Sequence, residues 1–181
     1  TYPLPEAQLD RFMFMLKVEY PELKDELAIV KQTGSARPVA GTATAESQPK
    51  LLEAQTISKL QQMVRDMPIS DHVALYCVKL GRSTRPDDAM ATEFVRQNVT
   101  WGVGPRAMQF LAHAARSRAA LQGDTTVNAD HVRSVAPLVL RHRIVPNYHA
   151  EAEGIDADAI VRHLLESVSE PTPADYEHLQ A

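Results

Sequence analysis

Apolar residues recur at the spacing of an α-helix over most of this 181-residue chain, and capping residues stand at the ends of the apolar segments. The longest such segment runs from Pro105 to Gly123 through a row of alanines. Proline suits the first position of a helix because its missing N–H would have no partner there, and glycine commonly follows the last turn. Further helices are predicted from Pro21 to Gly34, from Thr56, from Ser70, after Asn128 and after Asp156. The pattern predicts a mainly α fold.

The first twenty residues depart from this pattern. Residues 12–18, FMFMLKV, form a run of strand length that follows a helical turn in PEAQLDR. A single strand is not stable by itself, so this segment requires a sheet that the chain does not supply. We therefore predict that residues 1–20 end an α/β domain, and a buried helix over the same residues is the alternative.

Two further segments are predicted to be irregular. Residues 34–52 are small and polar and are broken by Pro38, Gly41 and Pro49, which predicts a long mobile loop. In residues 169–181, Pro171 and a second proline two positions later predict a frayed C-terminal tail. A helical domain over residues 21–168 would lie between the N-terminal segment and this tail.

Composition limits the classes of partner. There are 23 acidic and 19 basic residues, and the net charge of -4 lacks the basic excess typical of nucleic-acid binding. No apolar run approaches the roughly 18 residues of a membrane helix, and no signal segment begins the chain. Cys77 lies in an apolar helical pattern, which predicts a core thiol and is compatible with the cytoplasm. The seven histidines show no H-E-x-x-H spacing, so no metal site is expected.

Three motifs carry a resemblance to a known family. TYPLPEAQLDRF at 1–12, GVGPRA at 102–107 and VLRHRI at 139–144 resemble, in this order, the C-terminal part of the MoxR family of AAA+ ATPases. The second motif is commonly GASPRA in the family, so Val103 and Gly104 replace Ala and Ser. The resemblance implies that residues 1–20 are the end of the AAA+ core domain, residues 21–168 the helical lid domain and residues 169–181 a tail.

Two arginines match functional positions of that family. The resemblance implies that Arg106 is the sensor-2 arginine, which together with Pro105 and Gly104 would contact ATP phosphate at a helix N-terminus. It also implies that Arg11, in LDRF, is an arginine finger that acts on the nucleotide of a neighbouring subunit. A solvated or acid-paired side chain is the alternative for Arg106. A local pair with Asp10 or Glu6 is the alternative for Arg11.

The nucleotide-binding loop is not in this sequence. None of the seven glycines is followed by lysine, so G-x-x-x-x-G-K-[ST] is missing, and no acidic pair follows an apolar strand. We therefore expect that ATP and Mg²⁺ are held mainly by the core domain, and that this chain alone neither binds ATP tightly nor hydrolyses it.

The family resemblance implies chaperone-like remodelling of protein complexes by a homo-oligomeric, hexameric ring in the cytoplasm, with von Willebrand A-type partners and client complexes. The alternatives are a non-enzymatic helical interaction module and the lid of a magnesium-chelatase-type motor.

Three other features are interpreted without an assigned reaction. Arg141, His142 and Arg143 are interpreted as a solvated or partner-facing basic edge. Trp101 is interpreted as a hydrophobic anchor of the glycine turn, with adenine stacking as the alternative. Thr84 and Arg85 match a TR pair that is common in the family, and no chemistry is assigned to them.

Overall fold

The computed structural model of the chain describes residues 4–33, 52–172 and 175. Contacts divide the chain into two units, of which one comprises Thr1–Met15 with Gln61–Ala181 and the other comprises Leu16–Leu60. The loop predicted at 34–52 lies outside the described residues except for Leu52. The structure does not test whether the core domain ends at residue 20, so this boundary stays a prediction.

The described residues form short helices and one pair of short strands. In chain order the elements are α1 (Glu6–Leu9), α2 (Leu23–Thr33), α3 (Ala54–Asp66), α4 (Asp71–Ser83), α5 (Glu93–Asn98), β1 (Val99–Trp101), α6 (Pro105–Gln122), α7 (Ala129–Leu140), β2 (Val145–Pro146), α8 (Tyr148–Ala152) and α9 (Ala157–Ser167). β1 and β2 pair antiparallel. The prediction of a mainly α fold is confirmed.

Capping residues set the helix ends where the sequence predicts them. Ser70, Asn128 and Asp156 accept a backbone N–H in the first turn of α4, α7 and α9, respectively. Pro105 is the first residue of α6, and Gly123 ends it with a φ of 82°. Such a φ lies in the left-handed region that glycine adopts without steric cost. These helices are therefore delimited mainly by local side-chain chemistry.

The hydrophobic core lies among four helices of the larger unit. α6 packs against α4 and α7, and α9 packs against α7 and α4. The largest fully buried side chains include Tyr76, Leu80, Leu111, Leu140, Ile160 and Leu164. Small residues permit close approach, because a Cβ on Gly81 of α4 would lie 2.5 Å from Cε of Met108 on α6. The core therefore fixes the position of α6, the helix that carries Arg106.

Cys77 is buried in this core, as predicted. Burial raises the pKa of its thiol to about 12. A thiol with this pKa is almost entirely protonated at neutral pH, and it is therefore a poor nucleophile.

Residues 12–22 form neither a helix nor a strand, so the alternative of a buried helix is wrong. The side chains of Phe14, Leu16, Val18 and Tyr20, at alternate positions, are all exposed. This alternation is the pattern of a strand with one apolar face. The sheet that such a strand requires would come from outside the chain, so the strand over residues 12–18 stays a prediction.

Two residues of the C-terminal tail that the structure describes pair with the helices, while residues 173–174 and 176–181 lie outside the described residues. Glu170 lies 3.2 Å from His72 of α4 and 3.0 Å from Arg133 of α7. Asp175 lies 3.3 Å from Lys79 of α4. These ion pairs hold Glu170 and Asp175 against the helices, and the frayed tail stays a prediction.

Candidate functional site

The glycine turn and the first turn of α6 form the centre of the candidate site. Gly104 is the N-cap of α6 and offers no side chain to the free N–H groups, and the first turn contains no acidic residue. These N–H groups and the helix dipole favour an anion. The Arg106 side chain, in the same turn, is 49% exposed. The start of α6 is therefore electropositive and accessible.

Thr84 and Arg85 hold the glycine turn in place. The buried Thr84 hydroxyl donates to the carbonyl of Gly81 at 2.6 Å and accepts the N–H of Val103 at 2.9 Å. Nε of Arg85 donates to the carbonyl of Val103 at 3.0 Å. A Cβ on Gly102 would lie 2.5 Å from the carbonyl oxygen of Thr84. The TR pair, to which sequence reasoning assigned no chemistry, thus positions the turn that precedes Arg106.

Arg106 is paired with an acidic residue of the N-terminal turn. Its Nη1 lies 2.7 Å from Oδ2 of Asp10, whose side chain is 32% exposed. The two residues are 96 positions apart in sequence. The alternative of an acid-paired Arg106 is therefore what the structure contains, and the pair shows that the guanidinium can hold an anionic oxygen.

A buried arginine holds the other oxygen of Asp10. Nε of Arg143 lies 3.1 Å from Oδ1 of Asp10, and Arg143 as a whole is only 6% exposed. Its guanidinium also donates to the carbonyls of Asp10, Phe12 and Val139 and lies over the Phe110 ring, 5.0 Å from the centroid. Burial lowers the pKa of Arg143, and the carboxylate of Asp10 opposes this shift.

The prediction that residues 141–143 form a solvated basic edge is therefore wrong. Arg141 pairs with Asp158 at 3.0 Å, and both side chains are mostly buried. Nε2 of His142 donates to the carbonyl of Phe12 at 2.9 Å, and burial lowers the pKa of His142. The three residues fix internal carboxylates and the N-terminal turn, so partners within the chain occupy them. Their spacing alone carried no signal of burial, because their partners are distant in sequence.

Arg11 directly follows Asp10 in the chain and is exposed. Neither Asp10 nor Glu6 pairs with it, so the alternative of a local pair is wrong. Its guanidinium has no hydrogen bond or ion pair to any residue that the structure describes. Arg11 and Arg106 are therefore both near Asp10, but only Arg106 contacts its carboxylate.

Trp101 is not a buried anchor, which corrects the sequence interpretation. Its side chain is 68% exposed and lies between two surface cavities. One cavity, of about 400 Å³, is also lined by Asp10, Gly104 and Arg143. The other, of about 530 Å³, is also lined by Arg85. The turn is held by Thr84 and Arg85 instead, which leaves the indole free to contact a ligand or another polypeptide.

Several known proteins are similar to this chain. A family model described as the AAA lid domain matches residues 91–164, which include the glycine turn and Arg106. YeaC of Bacillus subtilis is 33% identical over 94% of this chain and 49% of its own length. The chaperone MoxR1 of Mycobacterium tuberculosis is 32% identical over 94% of this chain and 43% of its own length. The chain is thus similar to members of the MoxR family of AAA+ ATPases and contains an AAA lid.

A solved structure is similar over the same range. A candidate ATPase from Cytophaga hutchinsonii, 27% identical, superposes with a TM-score of 0.80 over 94% of this chain and 50% of that protein. The prediction of the mainly helical lid fold of an AAA+ ATPase is thus confirmed. The chain spans about half the length of the curated relatives it matches. None of the helices that the structure describes has the length and apolarity needed to cross a membrane.

The residues of this site fit part of an ATP molecule. Arg106 already binds a carboxylate oxygen at 2.7 Å, and the uncapped start of α6 can accept a second anionic oxygen. Mg²⁺ is bound by oxygen ligands, with one or two carboxylates in typical nucleotide sites. Asp10, a carboxylate that lines the same cavity as Gly104, has an arginine on each oxygen, which makes it a poor ligand for the metal. The donor set therefore suits a phosphate group and leaves Mg²⁺ to other residues.

Proposed function

We propose that this chain forms the lid of an ATPase that couples ATP hydrolysis to chaperone-like remodelling of protein complexes. The single observation that carries the proposal is Arg106, which stands half exposed at the start of α6 and holds an anionic oxygen of Asp10. The name of the similar MoxR1, a chaperone, supports the remodelling role. ATP would be held between this lid and a core domain.

Arg106 acts, in this proposal, on the nucleotide of its own subunit. Its guanidinium would bind an oxygen of the terminal phosphate. Gly104 has no side chain and Pro105 has no N–H, so the N–H of Arg106 would be open to the same group. A hydrogen bond to a charged group contributes about 1.5–3 kcal/mol. Loss of the terminal phosphate on hydrolysis removes this partner, and the lid is then free to rotate against the core.

Arg11 acts on the nucleotide of the neighbouring subunit. Its guanidinium is exposed and carries a permanent charge, which suits the equatorial oxygens of a phosphoryl group in transfer. Arginine fingers accelerate hydrolysis by about 10³- to 10⁵-fold. The role requires an oligomer, and we propose a hexameric homo-oligomeric ring in the cytoplasm with a von Willebrand A-type partner and client complexes.

Mg²⁺ neutralises charge on the phosphate oxygens of bound ATP, and in this proposal residues outside the chain supply its ligands. The chain alone then has too few phosphate contacts for tight binding. Titration of the isolated chain with a fluorescent ATP analogue should show no saturation in the micromolar range. Micromolar affinity would contradict this part of the proposal.

The decisive experiment measures ATP hydrolysis by the complete ATPase that carries this chain. Arg11→Ala should reduce turnover by about 10³-fold or more, and Arg106→Ala by about 10- to 150-fold, as expected for a finger and for one charged hydrogen bond. Arg118→Ala, at an exposed position of the same α6, and Arg162→Ala, at an exposed position of α9, are matched controls that should retain full activity. Unchanged turnover in both test variants would favour a non-enzymatic interaction module.

Mixed rings separate action within a subunit from action on a neighbour. A subunit inactivated at its own ATP site but carrying Arg11 should restore turnover to an Arg11→Ala neighbour. The same subunit should not restore turnover to an Arg106→Ala neighbour, because Arg106 serves its own nucleotide. Restoration of both variants, or of neither, would contradict the assigned directions.

A further inference from the structure

We propose that Asp10 is a positioning residue that transmits the state of one nucleotide site to the arginine finger serving the next site. The inference rests on the proposed roles of Arg106 and Arg11. It concerns the carboxylate between them, which neither role requires.

The first link is the competition for Arg106. Oδ2 of Asp10 lies 2.7 Å from Nη1 of Arg106, at the distance expected for a charged hydrogen bond to an anion. A terminal phosphate and this carboxylate would therefore bind the same face of one guanidinium. Arg106 has two alternative partners, the carboxylate in the absence of the phosphate and the phosphate in its presence.

The second link is the buried Arg143. It holds Oδ1 of Asp10 at 3.1 Å and is enclosed by the Phe110 ring and the carbonyl of Val139. Because Arg143 is buried and bonded on several sides, it stays in place when Oδ2 is released. The carboxylate of Asp10 would then turn wholly to Arg143, and the backbone carbonyls that Arg143 holds would shift while its guanidinium keeps its place.

The third link reaches the finger. Nη2 of Arg143 donates to the carbonyl of Asp10 at 2.8 Å and also to the carbonyl of Phe12. These carbonyls belong to the residues immediately before and after Arg11. Any change in the hydrogen bonding of Arg143 therefore acts on the backbone on both sides of Arg11. The backbone position of Arg11 then depends on whether Arg106 binds Asp10 or the phosphate. Coupling between two sites in this form is reciprocal, and each site biases the other.

The test uses Asp10→Asn in the complete ATPase, since asparagine keeps the shape and the hydrogen bond to Arg143 but removes the competing charge. The affinity for a fluorescent ATP analogue should increase by about two- to fivefold, as expected for loss of a partly exposed ion pair. The Hill coefficient of ATP hydrolysis should fall towards one. Glu6→Gln removes a charge from the same turn, at an exposed residue, and should leave both quantities unchanged.

A double-mutant cycle separates transmission from a structural effect. In an Arg106→Ala background, Asp10→Asn should no longer change the affinity for the analogue, because the guanidinium for which Asp10 and the phosphate compete is missing. An equal change in both backgrounds would overturn the inference, as would an unchanged affinity or a Hill coefficient of one in the unsubstituted ring. If Asp10→Asn prevents folding, Asp10→Ser replaces it with the same expectations. Failure of the proposed function would appear separately, as full turnover in Arg11→Ala and Arg106→Ala.

Discussion

Substitution of Gly102 by alanine tests how the turn before Arg106 is held. The added Cβ would lie 2.5 Å from the carbonyl oxygen and 2.7 Å from Oγ1 of Thr84. Ordinary contact begins at about 3.4 Å, so the turn and the end of α4 must separate by about 1 Å. The atom that obstructs is backbone, which cannot rotate away. The hydrogen bond from Val103 N–H to Thr84 would lengthen from 2.9 Å and break.

The magnitude follows from these two effects. Overpacking of this kind costs about 1–3 kcal/mol. Leaving the buried N–H of Val103 without a partner costs about 1–3 kcal/mol more. A loss of 1 kcal/mol lowers the melting temperature of a protein of this size by about 2–4 °C. We therefore expect Gly102→Ala to melt at least about 5 °C below the unsubstituted chain.

Gly104→Ala is the matched control, two residues away in the same turn. No atom lies within 4 Å of a Cβ at this position, and its φ of -84° suits any residue. Its melting temperature should change by less than about 3 °C, because only N-cap preference and unfolded-state entropy change. Differential scanning calorimetry of the two variants measures the difference. Equal melting temperatures would refute the packing of Gly102 against Thr84.

Three further predictions concern other parts of the larger unit. Thr84→Val should lower the free energy of unfolding by about 2 kcal/mol in urea titrations, since it removes the hydroxyl that Val103 N–H requires; no loss would show that the turn does not depend on it. The Cys77 thiol, with its pKa raised to about 12, should react with a thiol reagent at pH 8 only after denaturation, and rapid reaction of the folded chain would contradict its burial. Because burial lowers the pKa of folded His142 below its ordinary 6.5, the unfolded chain binds the proton first, so the free energy of unfolding should fall as pH drops from about 7 through this lowered pKa. His142→Gln should flatten this slope, His149→Gln at an exposed position should not, and an unchanged slope in His142→Gln would show that another group titrates.

Local chemistry explains which parts of the fold could be predicted. The limits of α6 follow from Pro105 and Gly123, because each residue acts within one turn of its own position. Ser70 and Asp156 likewise begin the helices that follow them. The location of Arg106 at an electropositive helix start could be predicted for the same reason.

Contacts between distant parts of the chain could not be predicted. Arg143 reaches Asp10 across 133 positions, and no pattern near either residue shows that they meet. The exposure of Trp101 depends on Thr84 and Arg85, which take over the support of the turn. From sequence alone, an arginine in a basic run is expected at the surface. A tryptophan beside glycines is likewise expected in the core. The roles of Arg11 and Arg106 stay predictions.

The length and stiffness of α6 have a mechanical consequence. Its 18 residues correspond to about 27 Å, and its buried alanines Ala107, Ala114, Ala115 and Ala119 lie flat against neighbouring helices, so it moves as a rod. Because α6 is packed against α4 and α7, those helices would move with it. Under the proposed function, a rotation of this unit by about 10° around the end that bears Arg106 would displace the opposite end of α6, at Gly123, by about 5 Å, as the length of the helix dictates.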